Sequence, residues 1–163
     1  TEDDYLRIIR CKTASLFNAA AHTAALSVDA PPALREAACG FATAFGMAFQ
    51  IKDDILDYAG TAELGKPVGV DLRERKITLP LLGALQGSPR EAELRAMVRD
   101  IPAHPEYCDR IRRFVAEQDG ISYAVRRLEE WVSRAEQALS CFPESPAREA
   151  LRTIAQYTVW RQV

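Results

Sequence analysis

Three carboxylates crowd one short stretch, Phe49-Gln50-Ile51-Lys52-Asp53-Asp54-Ile55-Leu56-Asp57. If the stretch is helical, Asp53 and Asp57 share a face, being four residues apart, and Asp54 flanks it. Like charges at that spacing repel, and near a helix C-terminus the macrodipole also disfavours them. Such a group needs compensation. A hard divalent cation supplies it, since Mg2+ binds one or two carboxylates together with waters and substrate phosphates. A solvated acidic face fits the bare spacing as well. The apolar run from Phe41 to Ile51 just before it favours carboxylates beside a cavity over carboxylates on an open surface.

Basic residues stand on both sides of this cluster. Lys12-Thr13 comes early in the chain, Lys66 sits in a glycine-rich segment, and Lys76-Ile77-Thr78 follows. Taken singly, each lysine reads as a solvent-exposed charge. Taken together they suit a metal–diphosphate site, because lysine serves phosphate as a point charge. Glycines at 60, 65 and 69 would let backbone approach a phosphate closely. Gln50 needs hydrogen-bond partners if buried. A satisfied core amide and a functional amide are equally good readings of it.

These residues require helices to place them. Leu6, Ile9, Thr13, Leu16 and Ala20 recur near the helical period, which predicts a helix over 3–28. Val28-Asp29-Ala30-Pro31-Pro32 breaks it, because a residue before proline leaves the α region. A second helix is expected over 32–58, with proline tolerated in its first turn. Gly40 and Gly46 lie inside it. Since a mid-helix glycine costs roughly 1 kcal/mol against alanine, both are read as close-packing positions. Residues 59–75 hold three glycines and a proline and read as a long loop, a length that is often functional. Helices are expected again over 76–86, 90–100, 105–118, 120–140 and 144–162, with turns around Pro89, Pro102 and Pro143. No stretch alternates as a strand does, so the fold class is all-α.

Composition bounds the rest. The chain of 163 residues, 48% hydrophobic and 27% charged, suits one globular domain. A net charge of -2 gives no reason to propose a nucleic acid or an acidic membrane as partner. No apolar run approaches membrane-spanning length. Cys11, Cys39, Cys108 and Cys141 form no CxxC pair, which argues against zinc or a disulfide framework and for reduced thiols in a cytoplasmic protein. The start, Thr1-Glu2-Asp3-Asp4, lacks an initiator Met, so a processed, trimmed or partial chain is expected.

Three segments resemble one family, the trans-isoprenyl (polyprenyl) diphosphate synthases. Tyr5 through Phe17, with Lys12-Thr13-Ala14, resembles a helix of that family. Gly46 through Tyr58 is similar to its second aspartate-rich motif, and Gly65 through Leu81 to the loop and helix that follow. Their order and spacing agree, and Tyr157-Thr158-Val159-Trp160-Arg161 is a weaker match to its closing helix. The resemblance implies a helix bundle of the isoprenoid synthase type around a deep apolar cavity. It implies a Mg2+-dependent prenyltransferase that condenses isopentenyl diphosphate head-to-tail onto an allylic diphosphate by ionisation, condensation and proton loss. By motif position Asp53, Asp54 and Asp57 hold metal, and Lys12, Lys66 and Lys76 bind diphosphate. Lys12, Thr13, Gln50 and Lys66 then form the catalytic set, Thr13 and Gln50 presenting oxygens that steady the carbocation. A homodimer is the family norm.

A first aspartate-rich motif, expected upstream in the family, has no counterpart here. Residues 1–163 therefore read as the C-terminal part of a single synthase domain, inactive alone. The segment Ile77-Thr78-Leu79-Pro80-Leu81 leans toward medium- or long-chain synthases. Three alternatives stand beside this reading: a non-catalytic partner subunit of a heteromeric synthase, a terpene cyclase-like enzyme, and a helical interaction domain whose acidic face is only solvated.

Overall fold

Apolar residues at helical period over almost every segment dictate helices, and the computed structural model, which describes residues 1–59 and 69–161, is built from them. In chain order they are α1 (Glu2–Ile9), α2 (Ser15–Ser27), α3 (Pro32–Ala59), α4 (Val70–Arg73), α5 (Leu79–Leu85), α6 (Glu91–Asp100), α7 (Tyr107–Glu117), α8 (Gly120–Leu139) and α9 (Pro146–Trp160). No strand occurs among the described residues. No described helix is long and apolar enough to cross a membrane.

The expected helix over 3–28 carries a defect in its middle: α1 and α2 are joined by a π-helical turn, Arg10–Ala14. Lys12 and Thr13 both lie in it. Such turns are rare and recur at functional sites. The helix then ends in a six-residue reverse bond. Ala30 N–H donates to Ala25 O at 2.9 Å and Asp29 N–H to Leu26 O at 3.1 Å, with Asp29 in the left-handed region at φ +48°. This is a Schellman closure, with aspartate where glycine is usual. The prolines at 31 and 32 follow it.

Residues 70–73 depart from the loop expected over 59–75, of which 60–68 lie outside the described residues. Val70–Arg73 forms one helical turn, with Leu72 fully buried. The next helix begins at Leu79, not at 76, because Thr78 is extended and Arg75 turns the chain at φ +60°. The helices of 90–160 fall within a few residues of their expected bounds. α9 starts as the sequence prescribes: the Ser145 hydroxyl caps the Arg148 N–H at 3.2 Å, and Pro146 takes the first turn.

The described residues form two compact units. One comprises Thr1–Glu2 and Asp53–Arg126. Its core gathers Tyr58, Leu72, Leu81, Val98, Ile111 and Val115. The other comprises Asp3–Lys52 and, among the described residues, 127–161. There α3 presents Phe41, Phe45 and Phe49 at four-residue intervals, and Phe17 of α2 packs edge-on to Phe45, centroids 5.2 Å apart. Gly46 is the close-packing position the sequence suggests, since a Cβ there would stand 2.7 Å from the Ala14 Cα. Gly40 is not. It is exposed, and its Cβ would meet only the Ala138 Cβ at an ordinary 3.7 Å.

Candidate functional site

In the unit that contains α2, the π turn sets Thr13 opposite α3. The Thr13 hydroxyl donates to the Gln50 amide oxygen at 2.6 Å. Both side chains are half-buried, and Lys12 beside them is exposed. Gln50 is thus neither a lone buried amide nor a free surface one: it forms a polar pair with the second residue singled out. Phe17, one turn beyond Thr13, lines an apolar cavity of about 630 Å3 together with Phe41, Phe45, Leu34, Leu139 and Ile154.

Lys52 and Arg161 carry no role in the sequence reading, yet they tie α9 to α3. Lys52 Nζ donates to Val159 O at 2.7 Å. Arg161 Nη2 donates to Phe49 O at 3.2 Å, and its guanidinium lies 4.4 Å from the Phe49 ring centroid. Partial burial, and next the Arg161 charge, hold the Lys52 ammonium below its ordinary pKa. Only the weak match at Tyr157–Arg161 hinted at this contact.

In the other unit, the last turns of α3 carry Asp53, Asp54 and Asp57. Asp54 is buried, 4% exposed, while Asp53 and Asp57 are half-buried. Asp57 accepts two backbone donors, Val70 N–H on Oδ1 at 2.9 Å and Asp71 N–H on Oδ2 at 3.1 Å. Two of the carbonyls that α3 leaves open at its end are also closed. Gly69 N–H donates to Asp57 O at 2.9 Å, and Arg112 Nη2 donates to Tyr58 O at 3.1 Å. Gly69 does this from the left-handed region, φ +74°. Beneath them, burial first and then the Asp57, Asp71 and Asp54 charges push the Tyr58 phenol far above its ordinary pKa, and the Thr78 hydroxyl opposes them. That opposition falls short of a hydrogen bond: neither the Tyr58 nor the Thr78 oxygen has a partner in bonding geometry among the described residues.

Lys76 follows α4 outside any helix. Its ammonium pairs with Asp71 at 3.2 Å and with Glu74. The bond to Glu74, more than that to Asp71, raises its pKa. Lys66 lies outside the described residues, as do Gly60 and Gly65. All four cysteines are free thiols, and Cys108 is buried.

For a hard divalent ion the donor set is chemically suitable: carboxylates at a helix end, where one or two suffice alongside phosphate oxygens. It is not a closed cage. Among the described residues no three His, Cys, Asp or Glu side chains gather to hold a metal.

Comparison with known proteins bears on what this arrangement serves. The polyprenyl synthetase family model matches residues 1–115. An octaprenyl diphosphate synthase from Haemophilus influenzae is 37% identical over 99% of this chain and half of its own length. An all-trans-nonaprenyl-diphosphate synthase (geranyl-diphosphate specific) from Rhodobacter capsulatus is 40% identical over the same shares. A polyprenyl synthase crystal structure from Caulobacter crescentus, complexed with calcium and isoprenyl diphosphate, superposes with a TM-score of 0.89 at 37% identity. It is matched over all of this chain and 51% of its own. The chain thus spans about half the length of the relatives it matches.

Proposed function

This chain belongs to the polyprenyl synthetase family, and on that premise we propose that it is the C-terminal part of a head-to-tail prenyltransferase. The complete protein joins isopentenyl diphosphate to an allylic diphosphate and builds a medium- or long-chain prenyl diphosphate. The supporting names are the octaprenyl and nonaprenyl synthases among its relatives. The observation that carries the reading is the Thr13–Gln50 pair, set by the π turn, with Asp53 and Asp54 following Gln50 in sequence.

Each group then has a task. Asp53, with Asp54 beside it, holds Mg2+. The ion, when bound, supplies Lewis-acid stabilisation of the diphosphate leaving group. Lys12 and Lys76 bind diphosphate oxygens as point charges, and Lys66 joins them by its place in the motif. The Thr13 and Gln50 oxygens turn negative dipole ends toward the allylic cation, a preorganised field that costs no reorientation during reaction. Apolar walls such as Phe17 and Phe45 keep water from quenching it. The calcium and isoprenyl diphosphate named with the Caulobacter structure support a divalent ion. We place the protein in the cytoplasm as a homodimer, with the free cysteines supporting a reducing compartment.

Thermal unfolding of the complete protein tests the site. Mg2+ and inorganic diphosphate together should raise the melting temperature by several degrees, and either alone by less. A non-catalytic partner subunit or a merely solvated acidic face predicts no joint shift, and that result would overturn the proposal.

A further inference from the structure

The third carboxylate of the acidic spacing does something the first two do not. Asp57 lies on the face of α3 that Asp53 occupies, where like charges repel. Its compensation is already in place without an ion: one carboxylate oxygen accepts the Val70 amide at 2.9 Å and the other the Asp71 amide at 3.1 Å. Bonds from backbone N–H to an ionised carboxylate are among the stronger ones a protein makes. They fix the plane of the group. Each oxygen keeps a second lone pair, but the group is already turned to α4 and has its compensation there rather than from an ion.

What α4 holds gives those bonds a consequence. Leu72 of that turn is fully buried, so the segment cannot drift once its start is fixed. Lys76 N–H donates to Asp71 O at 2.8 Å, and Lys76 Nζ pairs with the Asp71 carboxylate at 3.2 Å. The ion pair is solvent-exposed and holds weakly by itself. The backbone bonds set the place of Lys76, and they start from Asp57.

We propose that Asp57 is a positioning residue: it fixes the start of α4 and, through Asp71, the place of Lys76, and it does not ligate the metal. This rests on the functional reading above for the role of Lys76, but the assignment of Asp57 rests on the geometry of α3 and α4.

The test uses the complete protein and the variants Asp57→Ala, Asp57→Asn and Asp53→Ala. Amide exchange is measured without metal or substrate. Losing charge-assisted bonds should speed exchange at Val70 and Asp71 by about tenfold or more in Asp57→Ala. Asp57→Asn, which keeps one acceptor oxygen, should restore part of the protection. Mn2+ binding in the presence of inorganic diphosphate is the second readout. At saturating diphosphate it should be unchanged in both Asp57 variants, while Asp53→Ala weakens it by about tenfold or more. In steady-state kinetics the Asp57→Ala loss should appear as a raised KM for the allylic diphosphate, with kcat retained. The inference is overturned if Val70 and Asp71 exchange is unchanged, or if the Asp57 variants lose Mn2+ as Asp53→Ala does. If the wild-type protein binds no Mn2+ with diphosphate, the functional reading fails, and the exchange data still decide the role of Asp57.

Discussion

At the scale of the residue, partners settle roles that residue types leave open. Gln50 and Asp57 were both visible in the sequence as groups that need something opposite them. The sequence cannot show that Thr13, thirty-seven positions earlier, donates to one, or that the Val70 and Asp71 amides satisfy the other. Tyr58 is the sharper case, since nothing in its spacing marks it. The native state holds the phenol proton by burial beside three carboxylates. The unfolded chain releases it near a pH of about 10. The unfolded state therefore binds fewer protons above that value, and stability must fall as pH rises through it. Tyr58→Phe should remove this component. The variant should match the wild type at neutral pH, because the hydroxyl lacks a partner among the described residues, and should lose less stability in the alkaline range. Denaturant titrations at neutral and alkaline pH check it, and equal alkaline losses in the two proteins would contradict it.

At the scale of the element, helices were legible because the period of apolar residues is local, while interruptions were not. The π turn at Arg10–Ala14 meets Gln50 and Gly46, and α4 starts on the Asp57 carboxylate and buries Leu72, partners that no local period encodes. Glycine shows the same limit. Gly40 and Gly46 look alike in sequence, six residues apart on one helix. Only Gly46 faces backbone, with the Ala14 Cα 2.7 Å from where a Cβ would sit. Gly46→Ala should therefore destabilise by about 1–3 kcal/mol through overpacking. Gly40→Ala should stabilise by up to about 1 kcal/mol, the helix-propensity gain with no clash. Urea midpoints for the two variants should move in opposite directions. A parallel loss in both would mean that α3 is packed more closely near Gly40 than an exposed position allows.

At the scale of the whole molecule, the all-α class and the family were readable from three ordered motifs, and the match over residues 1–115 bears out the family. The chain spans about half the length of these relatives. No metal-holding group of three carboxylates, histidines or cysteines assembles among the described residues. Hydrophobic side chains such as Leu16, Val28 and Trp160 stand more than 70% exposed. The proposed activity is Mg2+-dependent head-to-tail elongation by the complete protein. Product analysis of the complete protein with labelled isopentenyl diphosphate, an allylic diphosphate and Mg2+ tests it most directly. Label is expected in prenyl diphosphates of medium or long chain, abolished by a chelator and restored by Mg2+. Unlabelled hydrocarbon formed from the allylic diphosphate alone, or no product at all, would contradict it.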